Sequence, residues 1–304
     1  VFQMSLYRMR TWFGKVEVHS AASGDYNVTV TDELIQKRFK FLVPECDGIA
    51  CTHCYLFLLT KTSLLCFRTD SFLDSPLVAT LDKASTEFLQ LLPSSEDFVI
   101  LESHDDAVND ELDALPRSCG ICIAATDRRL FLADSRDGVS RLYKVFDEET
   151  YVDHKLVGPV LLQTPQSSAM SAGHDHVLIL DKNGHVFAFG TGSHGELGIG
   201  AVGSESEPVA VLLPEDIRVI DISAGGWHSL ARTESNDVYA WGWNHQQQLG
   251  RDLEDCVFDP APLELDDVVD ISAYGSCSLF VTRDQSGIEK RLKYGRFFAI
   301  ETEI

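Results

Sequence analysis

Three groups of residues in this chain have the types and spacing to do chemistry. His174-Asp175-His176 offers two imidazoles and a carboxylate, the donor set of a non-haem iron site. Cys51-x-x-Cys54 and Cys119-x-x-Cys122 offer four thiolates, enough for tetrahedral zinc, with Cys46 and His53 close by. GTGSHGELGIG, ending at Gly200, has the glycine content of a phosphate-cradling loop. The sequence contains neither a GxSxG nucleophile elbow nor a GxxxxGK[ST] phosphate loop.

Each group has to be set against the element that carries it. Both cysteine pairs sit in apolar runs, CTHCYLFLL and CGICIAA. Residues three apart on a strand face opposite ways, so each pair needs a turn before it can close on one ion. Buried core thiols are the competing reading. On a strand His174 and His176 share a face and Asp175 points away.

The wider context of the histidines is a repeat. Residues 170–198, MSAGHDHVLILDKNGHVFAFGTGSHGELG, recur 52 positions later as ISAGGWHSLARTESNDVYAWGWNHQQQLG. His176 falls on His228, Gly190 on Gly242, Phe189 on Trp241 and Gly198 on Gly250, whereas His174 and Asp175 fall opposite Gly226 and Trp227. Repeat position therefore assigns His176 and His228 to one structural slot that bonds a neighbouring unit, without a metal. A third copy starts at Ile271 with Cys277 in that slot, and its second half, IEKRLKYG, carries extra charge.

Within each copy two apolar runs flank a turn, Lys182-Asn183-Gly184 or Ser235-Asn236-Asp237, which reads as a hairpin. Units near 50 residues with several strands each imply a propeller, whose blades bury their faces only by stacking. Weaker strand–turn–strand outlines lie at 120–138 and 49–67, and MRTWFGK reads as the end of a strand pair. The expectation is an all-β propeller of about six to seven blades with a degenerate first half, folded as one domain over 1–304. The longer interval between the first two units places an insertion at about 71–117, with a short helix and then an acidic stretch from Asp105 to Asp113. That stretch reads as a solvated loop or as a docking arm for a basic partner.

Charge narrows the function classes. Lys and Arg total 25 against 47 Asp and Glu, a net charge of −22. Such a field opposes phosphate backbones and favours basic partners, so direct nucleic-acid binding is not expected. No run has the length and apolarity of a membrane span. VFQMSLYRMR lacks an apolar signal core, and the three residues before Met4 read as a scar. Eight cysteines without a signal point to reduced thiols in nucleus or cytosol. No cofactor or metal is expected.

Five residues on the turns are candidate partner contacts. Trp227 and Trp243 are large residues that the repeat does not require; His194, Asn244 and His245 lie on equivalent turns. Tryptophan anchors interfaces, but it also packs between blades, and both readings are open for the pair.

The strings AGHDHVLILDKNGHVFAFGTGSHGELGIG and AGGWHSLARTESNDVYAWGWNHQQQLG resemble the regulator-of-chromosome-condensation repeats. Trp241-Gly242-Trp243-Asn244 and Gln248-Leu249-Gly250 follow the family signature, with Gln247 where a glycine is usual. The resemblance implies a seven-bladed propeller that acts as a non-catalytic scaffold or adaptor. The pairing of GGWHS with WGWN is similar to members that partner a Jumonji-type, 2-oxoglutarate-dependent hydroxylase in a chromatin-linked complex. It implies a nuclear and cytoplasmic protein, with a histone or another basic protein as a further partner. Two alternatives stay open: nucleotide exchange on a small GTPase, which members of the family carry out through a wedge between blades, and substrate adaptor of a ubiquitin ligase.

Overall fold

Short apolar runs closed by Gly, Asn and Asp turns fold throughout as antiparallel hairpins. The computed structural model describes residues 167–250 and 254–295 continuously and, upstream, the strands with some adjoining residues. The chain divides into two compact units, Val1–Arg136 with Arg141–Leu161 and Asp137–Ser140 with Leu162–Ile304.

The first unit holds three sheets. Ser5–Thr11 (β1), Gly14–Ser20 (β2), Tyr26–Asp32 (β3) and Lys37–Val43 (β4) form a meander. Gly48–Cys51 (β5), Tyr55–Leu59 (β6), Ser63–Arg68 (β7), Leu77–Thr80 (β8) and Leu92–Pro93 (β9) form the next, and Ile100–Glu102 (β10) pairs with β4. Ile121–Ala125 (β11), Arg129–Asp134 (β12), Arg141–Asp147 (β13) and Val160–Leu162 (β14) form the third. Phe57, Leu59, Leu64, Ile123, Leu132 and Phe146 bury one core shared by the second and third sheets. Thus the interval 71–117 supplies three strands; its expected helix and the acidic stretch lie outside the described residues.

The second unit holds the recognisable repeats. Ser167–Ala172 (β15), His176–Asp181 (β16), Val186–Gly192 (β17) and Gly203–Ala210 (β18) make one sheet. Val219–Ala224 (β19), His228–Thr233 (β20), Val238–Trp243 (β21) and Cys256–Pro262 (β22) make the next. Val268–Tyr274 (β23), Cys277–Arg283 (β24) and Glu289–Gly295 (β25) follow. Register repeats with the sequence: His176 pairs with Gly190, His228 with Gly242 and Cys277 with Gly295. The charged second half of the third copy keeps this register as β25.

Each sheet needs the next to cover its apolar side. Leu178, Val186 and Ala188 pack against Val219, Ile222 and Trp241; Leu230, Val238 and Ala240 pack against Val268, Ile271 and Phe280. Full burial of such a side chain contributes roughly 1.5–3 kcal/mol. The joints are also hydrogen-bonded in register. Ser171 Oγ accepts the Ala224 N–H at 2.9 Å and Ser223 Oγ accepts the Ala273 N–H at 2.8 Å. The turns at Gly184 (φ 92°) and Asn236 (φ 67°) each offer a carbonyl to the first strand of the following sheet, to Val219 at 3.0 Å and Val268 at 3.1 Å. The fold class is all-β, of the β-propeller type, with six blade-like sheets and no helix among the described residues.

Candidate functional site

The paired histidines are the first groups to locate, because they fill the same position in successive repeats. His176 opens β16 and is 1% exposed; His228 opens β20 and is 0% exposed. His176 Nε2 lies 3.0 Å from Ser229 Oγ, and His228 Nε2 lies 2.9 Å from Ser278 Oγ, each serine on the next sheet. Ser229 gives its only proton to the Glu196 carbonyl at 2.9 Å, so the His176 Nε2 carries the proton it shares with Ser229. Burial pushes the His176 pKa down to about 3, helped by His228 and His174. Burial likewise lowers His228 to about 3, with a backbone hydrogen bond at Cys277 opposing and His174 assisting. Both rings are neutral joints between sheets.

The glycines shape the same joint. Gly190 and Gly242 adopt φ 105° and 99° at the bulge opposite the histidines. Thr191 and Trp243, one residue on, donate to the carbonyls of Asp175 and Trp227 at 2.8 and 2.7 Å. Gly198 sits at φ 64°, where a Cβ would lie 2.8 Å from the Trp241 indole nitrogen. Trp241 itself is fully buried and donates that N–H to the Glu196 carbonyl. Gly250, the repeat counterpart of Gly198, has φ 118°.

The turns beyond these bulges bring most of the candidate contacts together. Trp227 and Trp243 meet edge to face, centroids 5.3 Å apart at 90°. His194 touches both, at 6.0 and 5.7 Å. His245 stacks on Trp243 at 5.8 Å and 16°, and His174 lies 4.6 Å from Trp227. The result is one strip of five rings across the first two sheets of the second unit. Trp227 and His245 are exposed, while Trp243, His194 and His174 are half-buried.

Asn244 requires a correction. It is 3% exposed, and its amide closes its own turn: Oδ1 accepts the Leu249 N–H at 2.8 Å and Nδ2 donates to the Gly250 carbonyl at 2.9 Å. A residue spent in this way offers nothing to a partner. Conversely, His174, a candidate metal donor by sequence, joins the strip as a ring against Trp227. The available signal was its alignment with Gly226, a bulky ring where the next copy has no side chain.

Ser193, His194 and Glu196 suggest a nucleophile relay, and the geometry rules it out. Ser193 Oγ and Glu196 Oε1 both approach Nδ1 of His194, at 2.9 and 3.4 Å. A relay needs the two partners on opposite ring nitrogens. Glu196 instead ties down the turn, its Oε2 accepting the His194 N–H at 2.6 Å.

Among the cysteines, Cys51 donates to the Thr52 carbonyl at 3.0 Å. Burial pushes the Cys122 thiol up to about 12, which disfavours a thiolate. Cys46, Cys54 and Cys119 lie outside the described residues. His53 faces Asp127 at 3.7 Å. No group of metal-holding side chains and no helix able to cross a membrane occurs among the described residues.

The model of the regulator of chromosome condensation (RCC1) repeat matches residues 183–232 and 235–281, and a second model of that repeat matches 168–196 and 219–248. RCC1 domain-containing protein 1 of mouse is 42% identical over 80 residues, 26% of this chain and 21% of the relative. Its human counterpart is 41% identical over the same shares. The human probable E3 ubiquitin-protein ligase HERC6 is 40% identical over 90 residues, 29% of this chain and 9% of that one. The chain thus matches about a fifth of the length of the first of these relatives. The crystal structure of human WBSCR16 superimposes with a TM-score of 0.56 at 15% identity, covering 86% of this chain and 66% of that one, a likeness of fold. The clear repeats of the second unit, residues 168–281, are thus the part of the chain that the RCC1 repeat models match.

Proposed function

We propose, taking the RCC1 repeats at 168–281 as the premise, that this chain is a non-catalytic adaptor that binds a partner protein through the strip from His174 to His245. One observation carries the reading. Large rings gather at surface turns where the repeat demands none: Asp175 stands opposite Trp227, and Thr191 opposite Trp243. A half-buried aromatic cluster with polar tips is the composition of an interface anchor. The reactive side chains nearby serve the fold: His176 and His228 are buried between sheets.

By resemblance the partner is a Jumonji-type hydroxylase in a chromatin-linked complex, which places the protein in the nucleus as well as the cytoplasm. The similarity to RCC1 domain-containing protein 1 supports a protein-binding role for the repeats. The net charge of −22 suits a histone or another basic protein in the same assembly. The likeness to HERC6 favours a second reading, substrate recruitment to a ubiquitin ligase.

The test is affinity capture of tagged wild type, Trp227→Ala and Trp243→Ala from nuclear and cytosolic extracts, read by mass spectrometry. A stoichiometric hydroxylase held by wild type and lost from both variants is the expected result. Ligase subunits in its place select the second reading. A small GTPase released by added nucleotide replaces both with nucleotide exchange.

A further inference from the structure

The strip has a taken side and an open side. His245 lies flat on Trp243 and pairs with Asp255 at 3.7 Å. Trp227 is 37% exposed. The Gly226 N–H, next to Trp227 in the chain, donates to the Gly275 carbonyl at 2.7 Å. A methyl group added at Gly275 would meet nothing within 4 Å. Trp243 is thus enclosed by Trp227, His194 and His245, whereas Trp227 meets His174, His194 and Trp243 and still keeps more than a third of its surface open.

Charge says what suits the exposed side of Trp227. Exposed Asp175 follows His174 at one end of the strip, and exposed Glu254 and Asp255 stand at the other. Residues 171–282 carry 18 Asp and Glu against four Lys and Arg, a net of −14. The face of an indole is itself negative, and a planar guanidinium can lie on it as His245 lies on Trp243. An acidic segment would be repelled, and a purely apolar one would draw nothing from the field.

We infer that the exposed side of Trp227, flanked by His174 and His194 and close to Asp175, is a receptor for an arginine side chain on a basic segment of the partner protein. This rests on the adaptor reading and adds the chemistry of what is bound.

The test uses the full chain with 15N-labelled indoles and the probe peptide (Gly-Arg)4. Four tryptophans give four indole signals, and buried Trp241 reports on the fold. The expected result is a shift of the Trp227 signal with Trp241 unmoved. Replacing arginine by citrulline keeps the shape and removes the charge; it should weaken binding about tenfold, or ~1.4 kcal/mol. Trp227→Ala should weaken the arginine peptide by a similar factor, with the Trp241 signal and thermal midpoint retained. Equal binding of the citrulline peptide, unchanged binding by Trp227→Ala, or no shift of the Trp227 signal overturns the inference. Partner capture that depends on Trp227, together with no response to (Gly-Arg)4, leaves the adaptor reading standing and removes the arginine site. Capture indifferent to both tryptophans, with the peptide still shifting Trp227, removes the adaptor reading at this strip and keeps the receptor.

Discussion

Trp241 donates its indole N–H to the carbonyl of Glu196 at 2.8 Å, joining the core of one repeat to the closing turn of the preceding one. The same carbonyl accepts Ser229 Oγ, which holds His176. One backbone oxygen thus couples a tryptophan, a serine and a histidine from three strands. Trp241→Phe removes the donor and leaves space at a fully buried site. The expected loss is ~2 kcal/mol, from the hydrogen bond and the unfilled volume. Gly198→Ala attacks the same contact from the other side, with a Cβ 2.8 Å from the indole nitrogen, and should cost at least as much. Urea unfolding of both variants measures the two losses.

The buried histidines make stability depend on pH. Their pKa is near 6.5 when unfolded and about 3 when folded, so between these values the unfolded chain binds more protons. Stability therefore rises with pH, is fully present above about 6.5 and drains away as pH falls toward 3. Well below 6.5 each ring costs ~1.4 kcal/mol per pH unit. Fewer charged carboxylates relieve repulsion at low pH, so the comparison must be between variants. His228→Cys, the residue that the third copy uses in this slot, should lower the dependence by one proton in urea melts between pH 7 and 5.

Gln247 holds φ 62° where Gly195 holds φ 90° in the preceding copy. A side chain in that region costs roughly 1–2 kcal/mol, partly offset by the greater freedom of glycine in the unfolded chain. Gln247→Gly should therefore stabilise the protein by about 0.5–1 kcal/mol, seen as a higher thermal midpoint at unchanged pH.

Sequence showed the repeat where side chains carry it and hid it where the backbone does. In the clear copies the turn before the slot closes from the Gly173 N–H to the His176 carbonyl and from Gly225 to His228. In the faint copies the same bond runs from Thr52 to Tyr55 and from Thr126 to Arg129. The threonine hydroxyls accept the return bonds from Tyr55 and Arg129 at 3.1 and 3.2 Å. The hydrogen-bond pattern persists while the residue types change, so no glycine or histidine marks it. Even the contact between turns recurs, His53 to Asp127 at 2.8 Å matching His174 to Gly226 at 3.1 Å. Asn244 shows the reverse case. It stands between half-buried Trp243 and exposed His245, and only the loop's return to Leu249 and Gly250 draws its amide inward.

Trp227 and Trp243 should separate binding from folding. Trp227 is 37% exposed and makes ring contacts only along the strip, so Trp227→Ala should change stability by less than about 1 kcal/mol. Trp243 is half-buried between Trp227, His194 and His245, and its truncation should cost more, about 1–2 kcal/mol. If the strip anchors a partner, both variants lose tenfold or more in affinity, since central aromatic anchors carry ~2 kcal/mol or more each. Titration calorimetry against the captured partner, beside urea melts of the same samples, reads the two effects together. Loss of stability at Trp227 with affinity intact would make the strip packing between blades, because an anchor has to be worth more to the complex than to the free fold.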